Sequence, residues 1–414
     1  MSGPQFALDA TQRAFVEEIR AAATDVLAPL VSRGEPGRVN RPLLVAMGEL
    51  GLLGRLFPGV AGAVGGTTTG DAERTVADLR QAAALDLCLL RETIAAVSPE
   101  AETALALQGL GGYPILQSGT AEQVSAYLPG IASGHLVAAY ALTEAEAGSD
   151  AAALQLAAEP DRDGWRLTGS KMWISNAPDA DVYTVFARTV VGAGARGVTA
   201  FVVPADRSGL SGEHLEMISA HPIGTVVFDG VRVERTDLLG EVNRGFRVAM
   251  LTLDLFRPSV GAFTIGMAQA ALDAAARHAV TRQAFGGPLV DRQAVAHLLA
   301  ETRTRIEAAR LLVYAAASAY DRGERSAALS AMAKLFATET AQSAIDAAIQ
   351  IHGARALRHG HLLEHLYRDV RATRIYEGAS EVQRDIIARD IVAAARDAVA
   401  AQGGAAGTAT KGDF

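Results

Sequence analysis

Asp161-Arg162-Asp163-Gly164 is the turn around which the middle of the chain is organised, because it separates two segments of alternating hydrophobicity. The flanking residues 154–158 and 165–168 have the two-residue period of strands. The same pattern, with β-branched residues and glycine-containing connections, continues over 182–188, 197–203 and 225–233. The sequence therefore predicts a small antiparallel β domain over residues 137–240.

The segments on either side of this β domain have the period of helices. Apolar residues recur at helical spacing between 15 and 26, and Asp9 or Thr11 would cap that helix. A surface loop is expected over 62–70, which is rich in small residues. Long helices are predicted after the β domain, over 244–281 with a kink near Pro258, 289–321, 326–352 and 380–400.

These elements predict an α+β protein with three domains. Residues 1–136 would form an N-terminal helical domain, 137–240 the middle antiparallel β domain and 241–400 a C-terminal four-helix bundle. The Gly- and Ala-rich tail, 401–414, is predicted to be disordered.

Composition limits the partners that this protein can have. The chain has 414 residues and a formal net charge of -8, and it has no long basic run, which argues against nucleic acid as the main partner. The longest uncharged run, residues 103–121, contains glycines and a proline and is a poor membrane span. The N-terminus lacks a signal-peptide pattern. No metal-ligand pattern is predicted.

A single cysteine, Cys88, excludes an intrachain disulfide. A reducing compartment is the simplest interpretation, so we expect a cytoplasmic location. Cys88 lies in an apolar run and is predicted to be a core residue more readily than a nucleophile.

The segment from Arg374 to Arg384 carries the most informative carboxylate, Glu377. Ser380 and Gln383 have the spacing of a capping box, which places Glu377 in the loop before a helix N-terminus. A carboxylate on a loop between two helices can be directed at a small ligand and partly desolvated, as a general base requires. The alternative is an exposed loop glutamate.

The order of helices, β domain and helical bundle, taken with the motifs below, resembles the acyl-CoA dehydrogenase family of FAD-dependent flavoproteins. The resemblance runs from about residue 8 to residue 398. The segment Tyr140-Ala141-Leu142-Thr143-Glu144-Ala145-Glu146-Ala147-Gly148-Ser149-Asp150 is similar to the family's first signature. The resemblance implies flavin contacts from Tyr140, Leu142 and Thr143, and contact between Ser149 and the acyl thioester. Ala145 replaces the family's proline.

A second signature is resembled by Gly169-Ser170-Lys171-Met172-Trp173-Ile174-Ser175-Asn176. The resemblance implies that Trp173 shields the flavin ring and that Ser175, or the backbone beside it, reaches flavin N5. The alternative for Trp173 is a core residue on a strand.

Two further segments resemble contacts that the family makes to FAD across a subunit interface. Arg282 and Phe285 lie in the segment Arg282-Gln283-Ala284-Phe285-Gly286-Gly287-Pro288-Leu289, and the guanidinium suits a diphosphate. Gln350 and Gly353 lie in Gln350-Ile351-His352-Gly353, after which Ala354 departs from the family pattern. The alternatives are a solvated helix end for the arginine and a core or interface histidine at 352.

The resemblance also implies residues around the acyl thioester. Asp254 and Arg257 match positions near the acyl arm, although a helix ion pair is an equal alternative. Tyr376 and Gly378 flank Glu377 in the last signature, where Ala379 replaces a threonine. Some family members place the catalytic glutamate near Asp254, but this chain has none there, so Glu377 is the predicted base.

The function implied is α,β-dehydrogenation of an acyl-CoA, with an electron-transfer flavoprotein as acceptor and a homo-oligomer, tetramer or dimer, sharing the flavin site. Three alternatives remain open: an acyl-carrier-protein substrate, an oxygen-using oxidase or monooxygenase of the same fold, and a flavin-free helical scaffold. The departures at Ala145, Ala354 and Ala379 favour the scaffold. The retained residues argue against it: Arg282, Trp173, Ser149 and Glu377.

Overall fold

The computed structural model describes residues 8–60, 83–324 and 326–408. The N-terminal part is helical. Asp9 caps the first helix in a capping box with Gln12, which selects one of the two predicted caps. The helices here are α1 (Ala10–Ala22), α2 (Ala28–Val31), α3 (Arg41–Glu49), α4 (Ala84–Ala95), α5 (Pro99–Ser118) and α6 (Ala121–Ala132). A π-helical turn, Ala23–Leu27, joins α1 to α2.

The predicted loop over 62–70 lies outside the described residues.

The middle part is one eight-stranded sheet. Its strands are β1 (Ala138–Ala141), β2 (Ala157–Asp161), β3 (Gly164–Ser175), β4 (Val182–Arg188), β5 (Val198–Pro204), β6 (Leu210–His214), β7 (Ile223–Val233) and β8 (Leu238–Leu239). The order along the sheet is β6-β7-β3-β2-β4-β5-β8, and β1 pairs with β4. Most pairs are antiparallel, as predicted, while β4 pairs in parallel with β1 and at one position with β2.

The turn at Asp161-Arg162-Asp163-Gly164 joins β2 to β3 as predicted. The two strands pair antiparallel from Ala157 with Thr168 to Asp161 with Gly164, and Arg162 adopts a positive φ of 56°. This hairpin leads directly into the long strand β3, which pairs with β7 with two register shifts. The second shift lies between Lys171 and Ile174, so the backbone bends where Trp173 is presented.

The C-terminal part is a bundle of long helices. These are α7 (Gly245–Thr281), α8 (Gln293–Asp321), α9 (Ala327–His352), α10 (Leu362–Thr373) and α11 (Ser380–Thr408). A short β-hairpin, β9 (Gln283–Ala284) with β10 (Gly287–Pro288), separates α7 from α8. Residues 362–373 were not predicted as a helix, because this amphipathic segment is short and mostly polar.

Two helix boundaries differ from the sequence prediction, and the proline at which a kink was predicted lies inside a continuous helix. Residues Leu289–Asp291 form a separate 3-10 turn before α8, so that helix begins at Gln293. Helix α7 is assigned without interruption through Pro258. Helix α11 continues over residues 401–408, beyond the predicted end at 400, while 409–414 lie outside the described residues, and the disorder of the tail stays a prediction.

Helix α7 is the central helix of the fold. It is long and apolar enough to cross a bilayer by length and composition, but 78% of its most apolar 18-residue window is buried inside the protein. That burial is typical of a core helix. Cys88, on α4, is fully buried as predicted, and burial raises the pKa of its thiol.

Candidate active site

The loop between α10 and α11 places the Glu377 carboxylate in the interior of the protein. Helix α10 ends at Thr373 and α11 begins at Ser380, so Glu377 lies in the predicted interhelical loop. Its backbone has a positive φ of 50°, a conformation that non-glycine residues seldom adopt. Oε2 is buried and accepts no hydrogen bond from the described residues. A buried carboxylate oxygen without a protein donor is available to a ligand.

The loop is fastened by its backbone. Lys334 Nζ and Gln383 Nε2 each donate to the Gly378 carbonyl at 2.8 Å. Gly378 has a φ of 93°, and a Cβ there would lie 2.4 Å from Gln383 Nε2. The backbone conformation therefore favours glycine, and a larger residue would also displace the Gln383 amide that holds the loop.

The predicted capping box at this helix is wrong. Ser380 is the first residue of α11, and its hydroxyl donates to Glu339 Oε1 at 2.8 Å. The Gln383 side chain reaches back to the Gly378 carbonyl, as described above. The sequence spacing was right for a box, but Ser380 bonds to Glu339 on α9 and Gln383 to the loop carbonyl of Gly378.

Burial of Glu377 is opposed by three cations on three helices. Burial raises the pKa of the Glu377 carboxyl, and the charges of Arg91, Lys334 and Arg257 act in the opposite direction. These residues belong to α4, α9 and α7. Burial also lowers the pKa of Lys334 to about 8. The carboxylate is thus desolvated without being tied into an ion pair, as a general base requires.

A cleft lies next to this loop, and its wall includes Phe263 and Tyr376, the residue before Glu377. The rest of its lining is mostly polar: Glu100, Thr103, Ser219, His221 and Asp369. Burial raises the pKa of the Tyr376 hydroxyl well above its usual value. Tyr376 is therefore a neutral phenol at physiological pH. The two rings supply the apolar part of this wall, against which a hydrocarbon portion of a ligand can pack.

The two signature-like segments of the β domain lie side by side. The Met172 N–H donates to the Thr143 carbonyl at 3.0 Å. Lys171 Nζ, which is fully buried, donates to the Leu142 carbonyl at 2.9 Å and to Glu144 Oε1 at 2.8 Å. The Glu144 carboxylate also accepts the backbone N–H groups of residues 155 and 156. A buried ion pair therefore holds both segments together.

Trp173 follows Lys171 of this ion pair by two residues, and its side chain is open to solvent. It is 45% exposed and has a positive φ of 62°. The alternative of a core tryptophan is therefore wrong. The indole is exposed, its backbone conformation is unusual, and the polar Thr143 segment lies beside it. This combination fits the binding of a flat aromatic cofactor.

Three other predicted residues have protein surroundings that the sequence did not reveal. The Ser175 hydroxyl is paired with His221 Nε2 at 2.8 Å, and burial lowers the pKa of His221 to about 4. The Tyr140 hydroxyl donates to the Ala249 carbonyl at 3.2 Å on α7. Ser149 is exposed.

The predicted pair Asp254 and Arg257 forms the helix ion pair that was the alternative interpretation. Arg257 Nη1 lies 3.5 Å from Asp254 Oδ1. The two residues have different surroundings, because Arg257 is buried and its charge acts on Glu377, whereas Asp254 lines a separate small cleft near the start of α9. Only Arg257 is thereby associated with the Glu377 carboxylate.

The last group of predicted residues forms an exposed surface at the end of α7 and α9. Arg282 is exposed, and its guanidinium forms no ion pair within the described ranges. Phe285, at a φ of 53°, is 85% exposed on the hairpin between β9 and β10. Gln350 is exposed at the end of α9, and Gly353 has open space where a Cβ would be. Exposed aromatic and cationic groups of this kind are typical of an interface.

FAD is the cofactor that the resemblance implies, and the donor set fits it in part. The exposed Trp173 beside Thr143 fits the ring system, and the free guanidinium of Arg282 fits a diphosphate. Ser175 fits less well, because its hydroxyl is already paired with His221. Arg282 would serve a second subunit's cofactor, as the resemblance implies.

Comparison with known proteins agrees with this geometry. Three family models match: "Acyl-CoA dehydrogenase, N-terminal domain" at residues 9–135, "Acyl-CoA dehydrogenase, middle domain" at 139–231 and "Acyl-CoA dehydrogenase, C-terminal domain" at 243–392. Cyclohexane-1-carbonyl-CoA dehydrogenase of Geobacter metallireducens is 34% identical over 384 residues, covering 92% of this chain and 97% of the relative.

Two other similarities come from a complex subunit and a solved structure. The caffeyl-CoA reductase-Etf complex subunit CarC of Acetobacterium woodii is 36% identical over 357 residues, covering 85% of this chain and 90% of the relative. The structure of butyryl-CoA dehydrogenase from Megasphaera elsdenii is 31% identical with a TM-score of 0.84, covering 94% of this chain and all of that one (100%).

The chain belongs to the acyl-CoA dehydrogenase family, a family of flavoprotein oxidoreductases that act on CH–CH bonds. The three-domain fold of the family is the one predicted from the sequence: helical, then β, then helical.

Several residues of this site were missed by sequence reasoning. Lys334 and Arg91 lie inside helical patterns and Glu102 lies in the first turn of α5, and no local signal there separates a buried charge from a solvated one. Glu144 and Lys171 lie inside the two signature-like segments, and a pairing between those segments could have been inferred from their opposite charges.

Proposed function

We propose that this protein is an FAD-dependent acyl-CoA dehydrogenase in which Glu377 removes the α-proton of an acyl thioester. The observation that carries the proposal is the buried Oε2 of Glu377, which has no donor among the described residues and is surrounded by cations that leave it unpaired. Bound FAD would supply the acceptor for the β-hydride.

The α-proton of a thioester is too weakly acidic for a carboxylate in water to remove it. The protein must therefore narrow the difference between the pKa of that proton and the pKa of the carboxyl group. Burial raises the pKa of Glu377 and makes it a stronger base than an exposed glutamate. The N-terminus of α11 opposes this by roughly 0.3–1 kcal/mol, which is less than burial contributes once a ligand fills the site. The Glu377 backbone N–H is proposed to donate to the thioester oxygen, as the resemblance implies.

The remaining residues position the ligand and exclude water. Tyr376 and Phe263 would cover the acyl chain, and Arg257 would hold polar atoms near Glu377. Trp173 and Thr143 would face the flavin, with Tyr140 and Leu142 supporting that wall from behind. Gly378 allows the loop to adopt its conformation.

Glu377→Gln tests the assignment. The amide keeps the shape of the side chain but cannot accept the proton, so flavin bleaching by butyryl-CoA or hexanoyl-CoA should fall by about 10²- to 10⁴-fold. Bleaching is followed by absorbance after anaerobic mixing, with FAD content measured on the same sample.

The matched control is Glu381→Gln, an exposed glutamate at the start of the next helix, which should bleach at the wild-type rate. Wild-type bleaching by the Glu377 variant would refute the assignment. A colourless protein that cannot be reconstituted with FAD would instead favour the flavin-free scaffold.

The partners follow from the family and from one relative. The name of CarC places that relative in a complex with an Etf component, which supports an electron-transfer flavoprotein as acceptor here. An acyl-carrier-protein substrate and oxygen as acceptor remain the alternatives. The exposed surface around Arg282 and Phe285 supports a homo-oligomer, and the lone buried Cys88 supports a cytoplasmic location.

A reductase function is a second candidate, because CarC is named as a reductase. The same site would then return a proton to the α-carbon from Glu377. Reoxidation of the reduced protein by crotonyl-CoA faster than bleaching by butyryl-CoA would favour this direction.

A further inference from the structure

A second buried acid lies close to the site and has no role in the proposed reaction. Glu102, on α5, pairs with Arg91 on α4, and their side chains are only 1% and 3% exposed. Arg91 Nε donates to Glu102 Oε1, and Arg91 Nη1 donates to Ser259 Oγ at 2.6 Å on α7. Glu102 Oε2 is buried and accepts no hydrogen bond from the described residues.

A buried ion pair of this kind has a large desolvation cost, and apolar residues of the same volume are often as stable. An acceptor left without a donor adds to that cost. A brace between α4, α5 and α7 explains the ion pair itself, but it does not explain an oxygen with no partner. An unpaired buried acceptor beside a ligand site indicates a donor on the ligand.

The pair borders the proposed acyl site. The Arg91 guanidinium lies 5.9 Å from the centre of the Phe263 ring, and Phe263 lines the same cleft as Tyr376. Arg91 has the largest effect of any charge on the pKa of Glu377, and Glu102 has the largest on that of Tyr376. The charges of the pair therefore act on residues of the proposed acyl site, where a simple hydrocarbon chain would require apolar surroundings.

We propose that the Arg91–Glu102 pair is a specificity determinant that selects acyl groups with a hydroxyl at or near their far end over hydrocarbon chains of the same length. This inference rests on the proposed acyl-CoA dehydrogenase function. The hydroxyl would donate to Glu102 Oε2, which completes the hydrogen bonding of the pair.

The charges of the site argue for a neutral hydroxyl over an ionised group. A second carboxylate would join Glu102 and Glu377 around an arginine that already binds Glu102 and Ser259. An ammonium group would lie among the cations Arg91, Arg257 and Lys334. A hydroxyl adds a donor without adding a charge.

The experiment compares acyl-CoAs that differ only by a terminal methyl or hydroxyl group, using the FAD-loaded protein. The pairs are pentanoyl-CoA with 4-hydroxybutyryl-CoA, hexanoyl-CoA with 5-hydroxypentanoyl-CoA, and heptanoyl-CoA with 6-hydroxyhexanoyl-CoA. Burial raises the pKa of Glu102 to about 7, so the rates are measured at a pH above that value, where its carboxylate is ionised. At one length or more, kcat/KM for flavin bleaching should then favour the hydroxylated member by about 10-fold or more, as expected for a hydrogen bond to a charged group.

Arg91→Met/Glu102→Leu should abolish or reverse this preference. Because loss of the Arg91 charge also raises the pKa of Glu377 and changes the absolute rate, the quantity compared is the ratio of kcat/KM for the two substrates within each protein. The matched control is Arg310→Met/Glu92→Leu, a pair joined at 2.8 Å that involves the next residue of α4 and a different helix, α8; it should keep the preference. If the double variant does not retain FAD, Glu102→Gln replaces it, because the amide keeps the volume and weakens the acceptor.

The outcomes separate the two levels of the proposal. Bleaching by hydrocarbon acyl-CoAs with no hydroxyl preference at any of the three lengths overturns the specificity inference and leaves the dehydrogenase function standing. A preference that survives in the Arg91/Glu102 variant also overturns it. If no acyl-CoA bleaches the wild-type flavin, the proposed function fails, and the specificity inference fails with it.

Discussion

At the scale of single residues, the carboxylate of Glu377 is defined by where its backbone places it. A positive φ at Glu377 and a glycine at 378 turn the chain sharply between two helices. Lys334 and Gln383 then hold the Gly378 carbonyl, while Glu377 Oε2 has no hydrogen-bond partner in the part of the chain that the structure describes. The sequence predicted the loop, the glycine and the base. It could not predict Lys334, because that lysine lies 43 residues away in a helical pattern.

The pH dependence of kcat/KM tests the electrostatic part of this description. Glu377 must be ionised to act as a base, so the rate should rise with pH through its raised pKa. Lys334→Met removes a charge that favours the ionised form, so this limb should move to higher pH. The pKa of Lys334 is about 8, so the two proteins should converge as pH rises beyond that value.

Lys334→Arg is the matched control, because it keeps the positive charge and should leave the limb near its wild-type position. The measurement is the rate of flavin bleaching between pH 5 and pH 9, an interval of about four pH units chosen to include both groups. A limb that moves to lower pH in Lys334→Met would contradict the assignment of Glu377 as the titrating group.

At the scale of elements, the Glu144–Lys171 pair holds together the two segments of the β domain that are proposed to face the flavin. Lys171 is on strand β3 and Glu144 is on the loop after β1. The Lys171 ammonium also donates to the Leu142 carbonyl, and the Met172 N–H donates to the Thr143 carbonyl. These bonds fix the Thr143 segment against Met172. The strands themselves were predictable from alternation, but the pairing of Glu144 with Lys171, 27 residues apart, depends on the register of the sheet.

Lys171→Met should destabilise the β domain strongly, because it leaves the Glu144 carboxylate buried without its cation. The expected loss is about 3–5 kcal/mol in the free energy of unfolding. Both tryptophans, Trp165 and Trp173, are in this domain, so their fluorescence during urea denaturation reports it directly.

Glu144→Gln/Lys171→Met should recover part of that stability, since it removes the unpaired charge as well. Arg41→Met is the control, because the Arg41–Asp181 pair is 46% and 32% exposed and its loss should cost less than about 1 kcal/mol. Equal losses for Lys171→Met and Arg41→Met would show that the buried pair does not stabilise the loops.

At the scale of the whole molecule, the residues implied in flavin binding fall into two groups. One group surrounds Trp173 in the β domain, and the other is the exposed surface at Arg282, Phe285 and Gln350 in the helical bundle. The order of domains was predictable from periodicity, since each change of period is a change of domain. The exposure of Phe285 was not, because periodicity does not reveal which faces a second copy would cover.

Arg282→Ala should reduce flavin retention and oligomer stability together, because the exposed guanidinium is proposed to bind the diphosphate of a neighbouring subunit's cofactor. The measurement is FAD per chain and molar mass after gel filtration. Arg277→Ala, an exposed arginine about one turn earlier on α7, is the matched control and should change neither. Full FAD content and unchanged molar mass in Arg282→Ala would contradict the shared site.

The most direct measurement of the central proposal is exchange of the α-proton with solvent. The FAD-loaded protein is incubated anaerobically in D2O with an acyl-CoA, and deuterium at the α-carbon of the recovered thioester is measured by NMR. The wild type should incorporate deuterium, and Glu377→Gln, with equal FAD content, should not, because only Glu377 is placed to exchange that proton. Incorporation by Glu377→Gln at the wild-type rate would show that another group removes the proton.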